Sequence, residues 1–104
     1  LPQGQRGDWR LCGQPGRRVR KIAYCPGSGA SLADKAAEAG ADLYITGDVK
    51  YHAALETPLP MLDVGHFCLE ERMMREFAAI LAKVRPDTDI RFLSADNPFR
   101  QVAI

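Results

Sequence analysis

The stretch "DLYITGDVKYHAALETPLPMLDVGH", residues 42–66, decides the fold. It opens with a run of aromatic and β-branched residues that breaks at Gly47. A helical segment over 48–57 follows, stopped by Pro58 and Pro60, and then a second apolar run over 61–65. Strand, helix and strand at this spacing make a βαβ unit, with parallel strands and a right-handed crossover.

The alternation continues in both directions. Upstream, "KIAYC" (21–25) reads as a strand, "GSG" (27–29) as a turn, and "ASLADKAAEAG" (30–40) as a helix closed by Gly40. Downstream, a long helix is expected from His66 to about Val84 and a fourth strand over "DIRFLS" (89–94). Residues 95–104 are expected as a loop with a last short strand. The fold class is therefore α/β: a mostly parallel sheet of about four strands with helices on its faces, in the order βαβαβαβ, over residues 19–104. Residues 1–18 mix glycine, proline and arginine with no apolar period, and read as a linker or basic arm.

Composition excludes several function classes. Apolar content of 46% and charged content of 26% are those of a globular chain able to bury a core, not of a disordered one. A net charge of +1 argues against a strongly charged partner. The positive charge is concentrated in residues 1–21, the arm and its continuation into the first strand, where Arg6, Arg10, Arg17, Arg18, Arg20 and Lys21 face a single Asp8. Nucleic-acid binding through that arm is one hypothesis, but only Trp9 is there to stack on a base, and a solvated linker is the favoured reading. No apolar run reaches membrane-spanning length and no membrane partner is expected. Cys12, Cys25 and Cys68 are odd in number and widely spaced, which suits reduced thiols and a cytoplasmic setting.

The long helix poses the chemical question. With His66 as the zero of a helical wheel, Met73, Phe77, Ile80 and Val84 fall within about 40° of it. Leu69, Met74 and Leu81 flank that stripe, and Glu71, Arg72, Arg75 and Lys83 lie opposite. His66 and Glu70, four residues apart, then head an apolar face expected to point inward. A carboxylate so placed must be paired, metal-bound or at a cleft edge, because a lone buried charge is costly. Imidazole and carboxylate at this spacing reach one zinc, manganese or iron ion from one helix face. A hydrogen-bonded pair that orders the helix start is the alternative.

Other polar and glycine residues collect where the strands end, the edge at which open parallel sheets bind ligands. Gly27-Ser28-Gly29 follows the first strand, as a tight turn or an anion cradle made of backbone N–H groups. Thr46, Gly47 and Asp48 follow the second, with His52 one helical turn on. Asp48 fits the N-cap of the second helix as well as a site. Ser94 to Asn97 follow the fourth.

Read together, "GSGASL", "AGADLYITGDVKYHAALE" and "LDVGHFCLEE" resemble the C-terminal half of the GTP cyclohydrolase 1 type 2 homologue family, the NGG-interacting-factor-three-like proteins. The resemblance covers about residues 19–104 and implies one half of a two-domain family fold with a dinuclear site of divalent metal ions. It implies that His66 and Glu70 are metal ligands. It places Thr46, Asp48 and His52 along the same cleft, with Ser28, Gly29 and Thr46 as candidates for binding a small phosphorylated or nucleotide ligand. Asp48 and His52 are the candidates for a general base. The family's upstream half, with its adjacent His-His pair and an aspartate, has no counterpart in this sequence, whose histidines are His52 and His66 alone. The chain, which begins at Leu1, is therefore expected to be a C-terminal piece, inactive alone, whose partners are the missing N-terminal half or further copies of itself. Two functions follow: a half-site of a metal-dependent hydrolase-like protein, or a non-catalytic metal-, anion- or protein-binding assembly module.

Overall fold

The computed structural model describes residues 9–16, 18–100 and 102. Four short strands form one sheet: β1 (Arg10–Cys12), β2 (Ile22–Tyr24), β3 (Leu43–Thr46) and β4 (Met61–Asp63). Their spatial order is β1-β4-β3-β2. The β2–β3 and β3–β4 pairs are parallel, and β1–β4 is antiparallel. Helix α1 (Ala33–Glu38) follows a 3-10 turn at Ala30–Leu32, and α2 (Tyr51–Glu56) and α3 (His66–Val84) complete the chain. Gly40 ends α1 at φ +85 and donates its N–H to the Ala37 carbonyl, a conformation glycine adopts without a steric penalty.

Side-chain alternation sorts the sheet into two faces. Ala23, Tyr44 and Met61 lie in register across β2, β3 and β4, and they pack with Ala33 and Ala36 of α1, Val49 and Leu59 into the core, with Ala53 and Ala54 of α2 against its edge. Because β2, β3 and β4 follow one another across the sheet by right-handed crossovers, α1 and α2 fall on the same side. The opposite side carries a second row in register: Tyr24, Ile45, Leu62 and Leu11. Tyr24 and Leu11 are more than half exposed there. On the covered face, burial pushes the Tyr44 phenol up to about 12, aided by the Cys25 thiol, while its hydroxyl donates to the Gly29 carbonyl at 2.6 Å.

Three expectations are corrected. Residues 10–12, assigned to the arm, form an edge strand beside β4. Residues 89–94 form no strand. The place beside β4 that a fourth parallel strand needs is taken by β1, and the later segment runs back along α3, where Arg75 lies over the Phe92 ring at 4.7 Å and the Ala95 N–H reaches Glu71. The stripe of α3 expected to face inward is open: Met73, Phe77, Ile80 and Val84 are 38–65% exposed, and only Cys68 and Leu69 of the helix are buried. Residues 1–8 and 17 of the arm, and residues 101, 103 and 104 of the expected last strand, lie outside the described residues. No helix among the described residues is long and apolar enough to cross a membrane.

Candidate functional site

The loops that leave β2, β3 and β4 meet at one edge of the sheet. Backbone bonds tie them together: Gly47 N–H to the Gly27 carbonyl and Val64 N–H to the Thr46 carbonyl, both at 2.9 Å. Gly47 makes the contact possible. A Cβ at this position would lie 2.5 Å from the Gly65 carbonyl oxygen and 2.9 Å from the His66 nitrogen. Gly65 takes φ +85 immediately before α3, which turns the chain so that His66 opens the helix at the junction.

The junction gathers Asp48, His66 and Glu70. His66 Nδ1 lies 2.7 Å from Asp48 Oδ2, and Nε2 lies 2.9 Å and 2.6 Å from the two Glu70 oxygens. The imidazole is thus held between two carboxylates. The hydrogen bond to Asp48 raises its pKa above the ordinary 6.5, opposed by desolvation and aided by the charge and hydrogen bond of Glu70. Side-chain exposure of 48% for His66, 54% for Asp48 and 43% for Glu70 leaves the group open to a ligand. Ser28 Oγ reaches Asp48 Oδ2 at 3.3 Å. Gly27 takes φ +76, and a Cβ there would lie 3.4 Å from the His66 ring and 3.6 Å from Glu70 Oε2. A cavity of about 620 Å³ opens beside them, lined by Asp48, His66 and Glu70 together with Phe67, Met74, Phe99 and Arg100. Among the described residues there is no cluster of three or more His, Cys, Asp or Glu side chains arranged around one metal position.

The other expected residues take different places. Thr46 is wholly buried; its hydroxyl donates to the Cys25 carbonyl at 2.8 Å and accepts the Gly29 N–H at 2.9 Å. Thr46 and the Gly29 N–H therefore shape the loop from within and are not open to an anion. His52 is exposed on α2 with its ring edge-on to Tyr51, and has no hydrogen bond to Asp48, His66 or Glu70. Asp48 does not cap α2, which starts at Tyr51 after Lys50. It adopts φ +52, a left-handed conformation rare outside glycine, and turns its carboxylate toward His66. Arg10, read from the sequence only as one of the basic residues of the arm, forms an ion pair behind this junction with Asp63, which the sequence did not single out. An acidic residue inside the apolar run "MLDV" was the signal available for it.

Comparison with known proteins identifies the family. The family model for Duf34/NIF3 (NGG1p interacting factor 3) matches residues 3–98. Proteins named GTP cyclohydrolase 1 type 2 homolog are 37% identical over 92 residues in Streptococcus pneumoniae and 35% identical over 91 residues in Escherichia coli. These alignments cover 81% and 84% of this chain but 34% and 36% of the relatives, so the chain spans about a third of their length. Among solved structures, Staphylococcus aureus protein SA1388 superposes with a TM-score of 0.73 at 25% identity, over 90% of this chain and 29% of that one. A protein of unknown function called ybgI superposes with 0.64 at 33% identity, over 88% of this chain and 38% of that one. The chain belongs to the Duf34/NIF3 (NGG1p interacting factor 3) family.

Proposed function

We propose that this chain is the C-terminal part of a divalent-metal-binding, hydrolase-like protein and supplies His66 and Glu70 to its metal site. One observation carries the reading: the His66 Nε2 and the Glu70 carboxylate face each other while Nδ1 is occupied by Asp48. A histidine ligand commonly donates its second N–H to a carboxylate, which fixes the tautomer and raises the basicity of the ligating nitrogen. Asp48 fills that place, so its role is to orient His66, and Nε2 with Glu70 would hold the cation. The donor set of imidazole and carboxylate fits zinc, manganese or iron. Bound there, such an ion would supply a Lewis acid and an activated water for hydrolysis.

Two donors are too few for a tight site. The others belong, on this reading, to the remainder of a longer chain or to a second copy, and a complete site would hold two ions. The open stripe of α3 and the open sheet face favour such a partner. The cavity between the pair and Phe67, Phe99 and Arg100 offers apolar surface and one guanidinium, which suits a small phosphorylated or nucleotide substrate. The relatives' printed names point to a GTP-directed activity, which for this chain is part of the proposal.

Titration of Mn²⁺ and Zn²⁺ into the metal-stripped chain by calorimetry, with His66→Ala and Glu70→Ala in parallel, tests the reading. Binding that is lost in both variants supports it. Binding of equal strength in wild type and both variants refutes it.

A further inference from the structure

Asp63 does not line the cavity, yet three hydrogen bonds hold its side chain. It is 6% exposed at the end of β4. Its Oδ1 accepts the Gly65 N–H at 2.9 Å, and its Oδ2 accepts the Val49 N–H at 3.0 Å and the Arg10 guanidinium at 2.5 Å. The same Arg10 nitrogen donates to the Val49 carbonyl at 3.2 Å. Strand register explains how the pair meets, since Arg10 of β1 lies directly opposite Asp63.

The partners of this carboxylate are informative. Val49 directly follows Asp48, and Gly65 directly precedes His66. One buried group therefore holds the backbone beside both members of the 2.7 Å Asp48–His66 contact. It also secures the residue that follows Asp48, whose left-handed conformation is unfavourable for a side chain with a Cβ. A carboxylate buried this far would be costly unless hydrogen-bonded and neutralised. Burial pushes its pKa up, but the Gly65 N–H, the Arg10 guanidinium and the Val49 N–H together hold it below the ordinary 3.8.

We propose that Asp63, with Arg10 as its counter-ion, is a positioning residue that fixes the separation of the Asp48 and His66 loops and thereby the imidazole nitrogen presented to Glu70. Its consequence for metal affinity rests on the reading of His66 and Glu70 as ligands. The positioning itself does not, and it is read first without metal.

The experiment uses the ¹⁵N-labelled chain at a pH where the His66 ring is neutral. In wild type, the imidazole spectrum is expected to show the proton on Nδ1, and the Val49 and Gly65 amides are expected to exchange slowly. Asp63→Asn replaces half of an acceptor that serves three donors. It is expected to speed exchange at both amides and to mix the His66 tautomers, while the β2 and β3 amides keep their shifts. Where metal binds, Mn²⁺ affinity falls about tenfold, the size of effect typical of orienting groups behind a ligand. Arg10→Gln leaves the carboxylate but frees it to move, and gives the same imidazole change in smaller degree, with Arg10→Lys restoring the wild-type spectrum. An unchanged His66 spectrum in folded Asp63→Asn overturns the proposal. So does an unchanged spectrum in Arg10→Gln, should Asp63→Asn fail to fold. A wild-type chain that shows the tautomer effects but binds Mn²⁺ no differently from His66→Ala and Glu70→Ala sinks the metal reading and leaves this inference standing.

Discussion

Gly47→Ala isolates the contact on which the site depends. Gly47 has no left-handed backbone angle, so alanine is conformationally acceptable there and the effect is steric. The added Cβ would lie 2.5 Å from the Gly65 oxygen, 2.6 Å from its carbonyl carbon and 2.9 Å from the His66 nitrogen. All three are backbone atoms, which cannot swing aside as a flexible side chain would. To reach an ordinary contact of 3.4 Å, the β4–α3 turn must retreat by about 0.9 Å. A retreat of that size takes the 2.9 Å bonds from Val64 N–H to Thr46 and from Gly65 N–H to Asp63 beyond hydrogen-bonding distance. Two lost bonds at about 1 kcal/mol each, with overpacking of about 1–3 kcal/mol, give a destabilisation of about 3–5 kcal/mol before relaxation. Small domains hold about 5–15 kcal/mol in total, so the variant should be close to unfolding. Urea denaturation followed by far-UV circular dichroism reads this as a midpoint lowered by at least about 1 M, given slopes of about 1–3 kcal/mol/M. Gly16→Ala is the control, since a Cβ at Gly16 meets nothing within 4 Å, and its midpoint should hold. A Gly47→Ala midpoint equal to that of the control would refute the close approach of the β3 and β4 loops.

Thr46→Val keeps the shape of the side chain but removes the hydroxyl that accepts the Gly29 N–H and donates to the Cys25 carbonyl. Leaving those groups unpaired in the interior should cost about 1–3 kcal/mol in urea unfolding, and an unchanged midpoint would show that water replaces the hydroxyl. The metal-free chain should also lose stability as pH rises. The folded-state pKa of His66 lies above its ordinary 6.5, so its contribution is complete below that value and disappears as pH climbs through the raised one. The loss is small because the ring is about half exposed, and His66→Gln should abolish it; an identical pH slope in that variant would assign it to another group.

The sequence revealed the parts of the fold that local chemistry determines. Gly40, Pro58, Gly47 and Gly65 mark breaks that the chain obeys, and α3 starts at His66 as its pattern requires. The fourth strand failed because "DIRFLS" has strand propensity, but an edge position goes to whichever segment finds a partner, and "RLC" at 10–12 wins it through the Arg10–Asp63 ion pair. Nothing local in a segment crowded with glycine and arginine advertises that pairing. At the site, the helical wheel selected His66 and Glu70 correctly as neighbours, since i and i+4 adjacency is a property of one helix. It could not reach Asp48, Thr46 and Gly29, whose surroundings depend on how three loops meet. A threonine after a strand looks alike whether it faces a ligand or bonds back to its own loop.

Helix α3 carries both the His66–Glu70 pair and the open apolar stripe, and this couples two properties that the chain would otherwise hold separately. Only Cys68 and Leu69 anchor the helix in the core. The turns from Met73 to Val84 therefore depend mainly on intrinsic helix propensity, the Arg72–Glu76 pair at 3.2 Å and the contact of Arg75 with Phe92, and helical segments with so little packing are marginal in water. A cation bound by His66 and Glu70 would tie down the first turn, from which the rest propagates. A partner covering the stripe would order the same helix from its other end. Each would then strengthen the other by the same factor, because binding linkage is reciprocal. Amide exchange resolves the question along the helix. Slow exchange should be confined to the turns near Cys68 and Leu69 in the metal-free chain and should extend toward Phe77 when Mn²⁺ is added. Uniform protection from His66 to Val84 without metal would mean that the far turns are already covered, by a second copy of the chain, and sedimentation at the same concentration would then show the dimer.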